Sequence, residues 1–167
     1  MDTIVLVPDD VEEEFDDMGS HNHSMVQANL AYLFKQLGDY TVYSELSLDV
    51  SRLDGAQYNL KDEVIVDVCL YPKRSLSIPR DILRMTEMPP LAVEILSPRQ
   101  GTGSILEKFE AYFVLGIQSC WLVDPLTQTV HVYRTSTERT TFSNGVSDSQ
   151  VVDHTLNIKI PIAAIFE

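Results

Sequence analysis

Apolar residues recur along this chain in two rhythms. In residues 20–37, SHNHSMVQANLAYLFKQL, Met25, Leu30, Leu33, Phe34 and Leu37 form a stripe at helical spacing. Ser20 is placed to cap that helix and Gly38 to close it. Residues 40–50, YTVYSELSLDV, alternate instead. Val42, Leu46, Leu48 and Val50 share one parity, and Thr41, Tyr43, Glu45, Ser47 and Asp49 the other, which predicts a half-buried strand. Three runs are apolar at almost every position: EVIVDVCLY at 63–71, LAVEILS at 91–97 and SCWLVDP at 119–125. They predict inner strands covered on both faces.

The second helical pattern, SILEKFEAYFVL at 104–115, ends at Gly116, and its buried stripe is drawn through Ile105, Leu106, Phe109 and Phe113. TVHVYRT at 129–135 alternates and should pair with 119–125 as a hairpin. Weaker strands are expected near 138–143 and 155–160, followed by a final turn, PIAAIF, opened by a proline. Residues 51–62 read as a polar loop. Residues 72–90 read as a proline-rich loop with a short helix near Ile82 to Met85. At the front, IVLV reads as a short strand stopped by Pro8, and DDVEEEFDD as a solvated acidic turn or short helix. The expected architecture is a mixed α/β domain over residues 20–167, a central mixed sheet flanked by helices, preceded by an arm over residues 1–19.

Charge sharpens that division. The 167 residues carry a formal net charge of -13, yet eight of the 25 carboxylates (Asp2, Asp9, Asp10, Glu12, Glu13, Glu14, Asp16, Asp17) lie in the first 20 residues, which hold no Lys or Arg. The body keeps 17 acidic and 12 basic side chains, a net -5. This is not the basic footprint of a strong nucleic-acid binder, so an anionic partner would be met by a local cluster or through a bound cation. No apolar run reaches the roughly 18 residues of a membrane helix, and no signal peptide opens the chain, so a cytoplasmic protein is expected. Cys69 and Cys120 fall inside apolar strands and read as small buried side chains rather than as a disulfide.

Two residues violate their surroundings. Asp67 sits in VIVDVCL and Glu94 in LAVEILS, each a carboxylate in the middle of a core strand. A salt bridge, a hydrogen-bonded network or a solvent-open strand face would account for either one alone. On adjacent strands the pair would lie a few ångströms apart, where like charges need a proton or a divalent cation between them. Parity puts Ala92 and Leu96 on the face of Glu94, and Ile65, Cys69 and Tyr71 on the face of Asp67, so the site would lie on the side of the small Ala92 and Cys69. Lys108 flanks the buried stripe of the following helix. It is either a surface lysine paired with a neighbour such as Glu107, or an ammonium that snorkels to the strand ends. Glu45 is either a third acidic ligand or an exposed strand residue. His21 and His23 read as exposed, with phosphate contact at a helix N-terminus as the alternative. Tyr112 and Trp121 read as packing and Asp124 as a turn residue.

Taken in order, VDVCLY, LAVEILSP, EKFEAY and GIQSCWLVDP resemble the Uma-type restriction endonuclease family of bacteria, within the PD-(D/E)xK nuclease superfamily. YSELSLDV resembles that family's strand before the aspartate. The resemblance spans residues 20 to about 135. It implies a restriction-endonuclease-like core, a divalent metal (Mg²⁺ or Mn²⁺) on Asp67 and Glu94, and Lys108 as the catalytic lysine. Leu96 stands at the usual E-x-K lysine position. The family is understood to supply that lysine from the next helix. Val66 replaces the proline before the aspartate, and Ser104 stands where many members have an aspartate. The implied function is metal-dependent endonucleolytic hydrolysis of DNA. The alternative is a catalytically inactive nuclease-fold module for binding or assembly, for instance a homodimer.

Overall fold

The computed structural model describes residues 19–167. The expectations for the acidic arm, including a strand over 4–7, lie outside the described residues. The first helix, α1 (His21–Gln36), starts as its sequence dictates: the Ser20 side chain accepts the His23 N–H and so satisfies one free donor of the first turn. Gly38, at φ +84°, provides the left-handed residue that turns the chain out of the helix. The buried stripe keeps the expected Leu30 and Phe34, with Leu33 and Leu37 partly buried against the core, but departs at its front. It runs through His23, Val26, Leu30 and Phe34, while Met25 is exposed.

Among the described residues, six strands form the main sheet: β1 (Tyr40–Asp49), β2 (Glu63–Pro72), β3 (Leu91–Ile95), β4 (Ser119–Asp124), β5 (Thr129–Tyr133) and β6 (Arg139–Ser143), side by side in that order. All neighbours are antiparallel except β3 and β4, which are parallel and joined by a crossover containing helix α3 (Thr102–Val114). The short helix α2 (Gly55–Tyr58), capped by Asp54, interrupts what reads in sequence as a loop. Between β2 and β3 the expected short helix is missing. Ile82 and Leu83 are exposed, and Met85 instead forms a bridge to Leu48 on the side of β1 away from β2. Near the end, β7 (Gln150–Asp153) and β8 (Ile158–Pro161) form a separate antiparallel pair followed by a 3₁₀ turn, Ala163–Ile165.

The apolar side chains sort into two cores, one on each face of the sheet. Val26, Leu30 and Phe34 of α1 pack with Val93, Ile95, Trp121, Val123 and the β7–β8 pair. Ile105, Phe109 and Tyr112 of α3 pack with Ala92, Cys69, Cys120 and Leu122 on the other face. β3 and β4 are therefore covered twice, as their unbroken apolar runs require, and so is β2 from Val68 to Tyr71; the first half of β2, where Ile65 is exposed, is covered on one face only. Both cysteines are buried and free. Among the described residues, no helix is long and apolar enough to cross a membrane.

Candidate active site

Two irregularities in the sheet meet at one residue. The ladder between β1 and β2 pairs every residue from Tyr40–Pro72 to Asp49–Glu63 except Glu45, which stands opposite Asp67. Glu45 has φ +54°, in the left-handed region. That conformation costs a residue with a Cβ about 1–2 kcal/mol, and such strain clusters at functional sites. Both strands change face at this rung. Val42, Val68 and Leu70 pack on the α1 side, whereas Leu46, Leu48, Val64 and Val66 pack on the α3 side. The single parity expected for Val42, Leu46, Leu48 and Val50 is thus broken, and Ile65, placed by alternation with Cys69 and Tyr71, is exposed instead.

The ladder between β2 and β3 runs Leu70–Leu91, Cys69–Ala92 and Val68–Val93, and ends there. The next rung would set Asp67 against Glu94. Instead the Asp67 carboxylate accepts the Ile95 N–H through Oδ2 at 2.7 Å, taking over the role of a strand carbonyl. The two carboxylates thus occupy the point where the two strands stop pairing.

Glu94 is only 3% exposed. Its Oε1 accepts the Tyr112 O–H at 2.6 Å, and its Oε2 lies 3.5 Å from Lys108 Nζ. Burial pushes its carboxyl up from 4.5 to about 7; the Lys108 charge opposes this, the Asp67 charge adds to it, and the Tyr112 hydrogen bond opposes it. Tyr112, expected as packing, is therefore a partner of the central carboxylate as well as a core residue. On the other side of Asp67, the His23 Nε2 lies 3.2 Å from Oδ2, and Gln27 Nε2–H donates to the Asp67 backbone oxygen at 2.8 Å. The hydrogen bond to Asp67 pushes the His23 imidazole up; burial opposes this, and the charges of Asp67, Glu94 and Glu45 add to it. His23 was expected to be exposed. It is buried because it occupies the inward position one turn before Val26. A histidine three residues ahead of an apolar stripe is the signal that marks it.

His23, Glu45, Asp67, Glu94 and Lys108 all border one open cleft of about 900 Å³, together with Lys61, Arg84 and Ser97. Ser104 is exposed and spends its hydroxyl on the Gly101 carbonyl at the start of α3. Trp121 is core and Asp124 builds the β4–β5 turn by accepting the Leu126 N–H, as expected. Among the described residues, no three His, Cys, Asp or Glu side chains gather as a metal cluster. A cation here would rest on Asp67 and Glu94 and complete its shell with water or substrate oxygens, the arrangement Mg²⁺ prefers. The donor set fits: both ligands are hard oxygens, and a divalent charge would relieve the burial and repulsion that hold Glu94 high.

A family model described as "Putative restriction endonuclease", Uma2, matches residues 10–162. The chain belongs to this family. Uma2 membership places it in a nuclease family, in agreement with the sequence motifs. A solved structure, a putative nuclease belonging to DUF820 from Anabaena variabilis ATCC 29413, is similar over 90% of this chain and 83% of that chain, with a TM-score of 0.68 and 22% identity. That likeness establishes the mixed α/β, restriction-endonuclease-like fold. No curated protein matches the chain.

Proposed function

We propose that this Uma2 protein is a divalent-metal-dependent endonuclease that hydrolyses phosphodiester bonds in DNA. The observation that carries the reading is Glu94: a buried carboxylate held near neutrality, beside a second carboxylate and an ammonium, at the wall of an open cleft. Perturbed carboxylates of this kind are expected where charge must be managed during a reaction. Asp67 and Glu94 would hold Mg²⁺ or Mn²⁺. Such an ion, when bound, lowers the pKa of a water and offsets charge on the phosphate.

The remaining work belongs to the chain. Lys108 is a quarter exposed at its side chain, so its ammonium can turn from Glu94 toward a phosphate oxygen or an attacking water without leaving its helix. Tyr112 orients Glu94 by a bond that does not depend on the cleft being occupied. Attack of water oxygen on phosphorus breaks one P–O bond. The departing oxygen takes up a proton, and the water loses one. Glu45, which stands across from Asp67 on β1 and borders the same cleft, is an additional candidate ligand.

The test is cleavage of mixed DNA forms with Mg²⁺ or Mn²⁺, paired with thermal melting across a metal titration. The reading expects cleavage together with a rise in melting temperature, by ordinary linkage. Asp67→Asn and Glu94→Gln should lose both. Absence of cleavage and of metal-linked stabilisation in the unaltered protein overturns the reading in favour of a nuclease-fold binding or assembly module.

A further inference from the structure

Asp67 is held from two directions: its Oδ2 accepts the Ile95 N–H of β3, and its other partners come from helix α1. No rung of the β1–β2 or β2–β3 ladder includes it, so its backbone lacks the support that every neighbour in β2 enjoys. Buried backbone groups left out of a ladder must find other partners. Here helix α1 supplies a partner for the main-chain oxygen and a second one for the side chain. His23 and Gln27 are four residues apart and so share a face of α1. Gln27 donates to the Asp67 main-chain oxygen at 2.8 Å, and His23 reaches the side-chain Oδ2 at 3.2 Å. The first turn that carries His23 is itself fixed by the Ser20 cap.

The imidazole is otherwise poorly rewarded for being buried. His23 is 8% exposed, and its Nδ1 has no hydrogen-bond partner among the described residues. A histidine kept in a core only for packing would be replaced at lower cost by an apolar side chain. Among the described residues the one polar contact of its ring is with Asp67, so the contact is what the position serves.

We infer that α1 is a positioning element for the metal-binding aspartate: His23 fixes the Asp67 carboxylate and Gln27 its backbone, and together they set the geometry in which Asp67 receives the cation. This rests on the metal-dependent reading above. It makes His23 and Gln27 positioning residues that act through Asp67. Partners that orient a ligating carboxylate typically matter about 10–100-fold in metal affinity or activity.

The experiment is Mn²⁺ binding by calorimetry on the full chain without DNA, for the unaltered protein, His23→Leu, His23→Gln and Gln27→Met. Urea unfolding of each metal-free protein monitors folding. Leucine keeps bulk and removes the donor, whereas the glutamine amide can present an N–H near the position of Nε2. The expected result is a loss of about 10–100-fold in affinity for His23→Leu, substantial recovery in His23→Gln, and a smaller loss in Gln27→Met. The two His23 variants should differ in Mn²⁺ affinity while unfolding at similar urea concentrations. Equal or tighter binding by His23→Leu, or equal weakening in both His23 variants, overturns the inference while leaving the metal reading intact. No Mn²⁺ binding by the unaltered protein overturns both.

Discussion

Asp153 and Glu94 are two buried acids on opposite sides of the main sheet, the first on the separate β7–β8 pair and the second on β3, and their surroundings differ in kind. Asp153, at the end of β7 on the α1 side, is fully buried. Its Oδ2 accepts the Ser119 hydroxyl at 2.5 Å and the Trp121 indole N–H at 2.8 Å, and its Oδ1 accepts the Thr155 and Leu156 N–H groups at 3.0 and 3.2 Å. Four fixed dipoles thus replace its water, and no cation is needed. Glu94, on the α3 side, has one hydroxyl and one lysine that can move away. Burial alone does not distinguish a structural carboxylate from a reactive one. The number of fixed donors does, because an incompletely satisfied charge in low dielectric is held ready for a proton or a cation.

The largest effect should separate the two acids by activity. Glu94→Gln is expected to cut single-turnover DNA cleavage by about 10³-fold, equivalent to ~4 kcal/mol of transition-state stabilisation. Asp153→Asn should leave the rate per folded molecule unchanged. An equal loss in both variants would erase the distinction drawn from their donors.

Stability should reverse the ranking. Asp153→Ala strands the buried Trp121 N–H, the Ser119 hydroxyl and the turn amides, and a loss of about 3–4 kcal/mol is expected in urea unfolding. Glu94→Gln in metal-free protein removes a charge that burial disfavours while retaining an acceptor for Tyr112, so its effect should be neutral or stabilising. A Glu94→Gln loss as large as that of Asp153→Ala would make Glu94 a structural ion-pair residue.

The contrast was only half legible in the sequence. Asp67 and Glu94 stand out because strands β2 and β3 are otherwise apolar, and Lys108 follows from helical spacing on α3. The two helices and the inner strands emerge from periodicity, since covered strands need apolar residues at every position. The change of face at Glu45 and Asp67 does not. Alternation assumes an unbroken pleat, and a glutamate gives no warning of a left-handed backbone. His23, Gln27, Tyr112 and Asp153 escaped for a related reason. Each is polar on a buried face, and its role depends on a partner between 18 and 44 residues away in the chain. The β7–β8 pair was blurred into one weak strand at 155–160, because strands of four residues are too short for a clear period.

The comparison also has a pH signature in metal-free protein. Glu94 rises from 4.5 to about 7 on folding, so the native state binds its proton more tightly than the unfolded state. Stability from this group is fully present below about pH 4.5 and is lost as pH rises through about 7, with an upper bound on the order of 3 kcal/mol. Urea titrations of the unaltered protein and of Glu94→Gln across this window should diverge toward high pH, with the variant the more stable above pH 7. Parallel curves would mean that Glu94 ionises normally in the fold.

The smallest effect tests the Tyr112 bond itself. Tyr112→Phe keeps the ring that packs 6.2 Å from that of Phe109 and removes only the hydroxyl that bonds Glu94 Oε1. A hydrogen bond to a neutral partner is worth about 1 kcal/mol and one to a charged partner about 1.5–3 kcal/mol. The cost of the variant should therefore be about 1 kcal/mol near pH 5, where Glu94 is protonated, and about twice that near pH 8.5, where it is ionised. The bond also holds the Glu94 carboxyl down, so its titration should move above about 7 in the variant. Ser119→Ala provides the matched control, because it removes one of four donors from Asp153 and touches no part of Glu94. A Tyr112→Phe cost independent of pH would show that the hydroxyl serves packing alone, and Glu94 would then lose its only fixed partner and with it the contrast to Asp153.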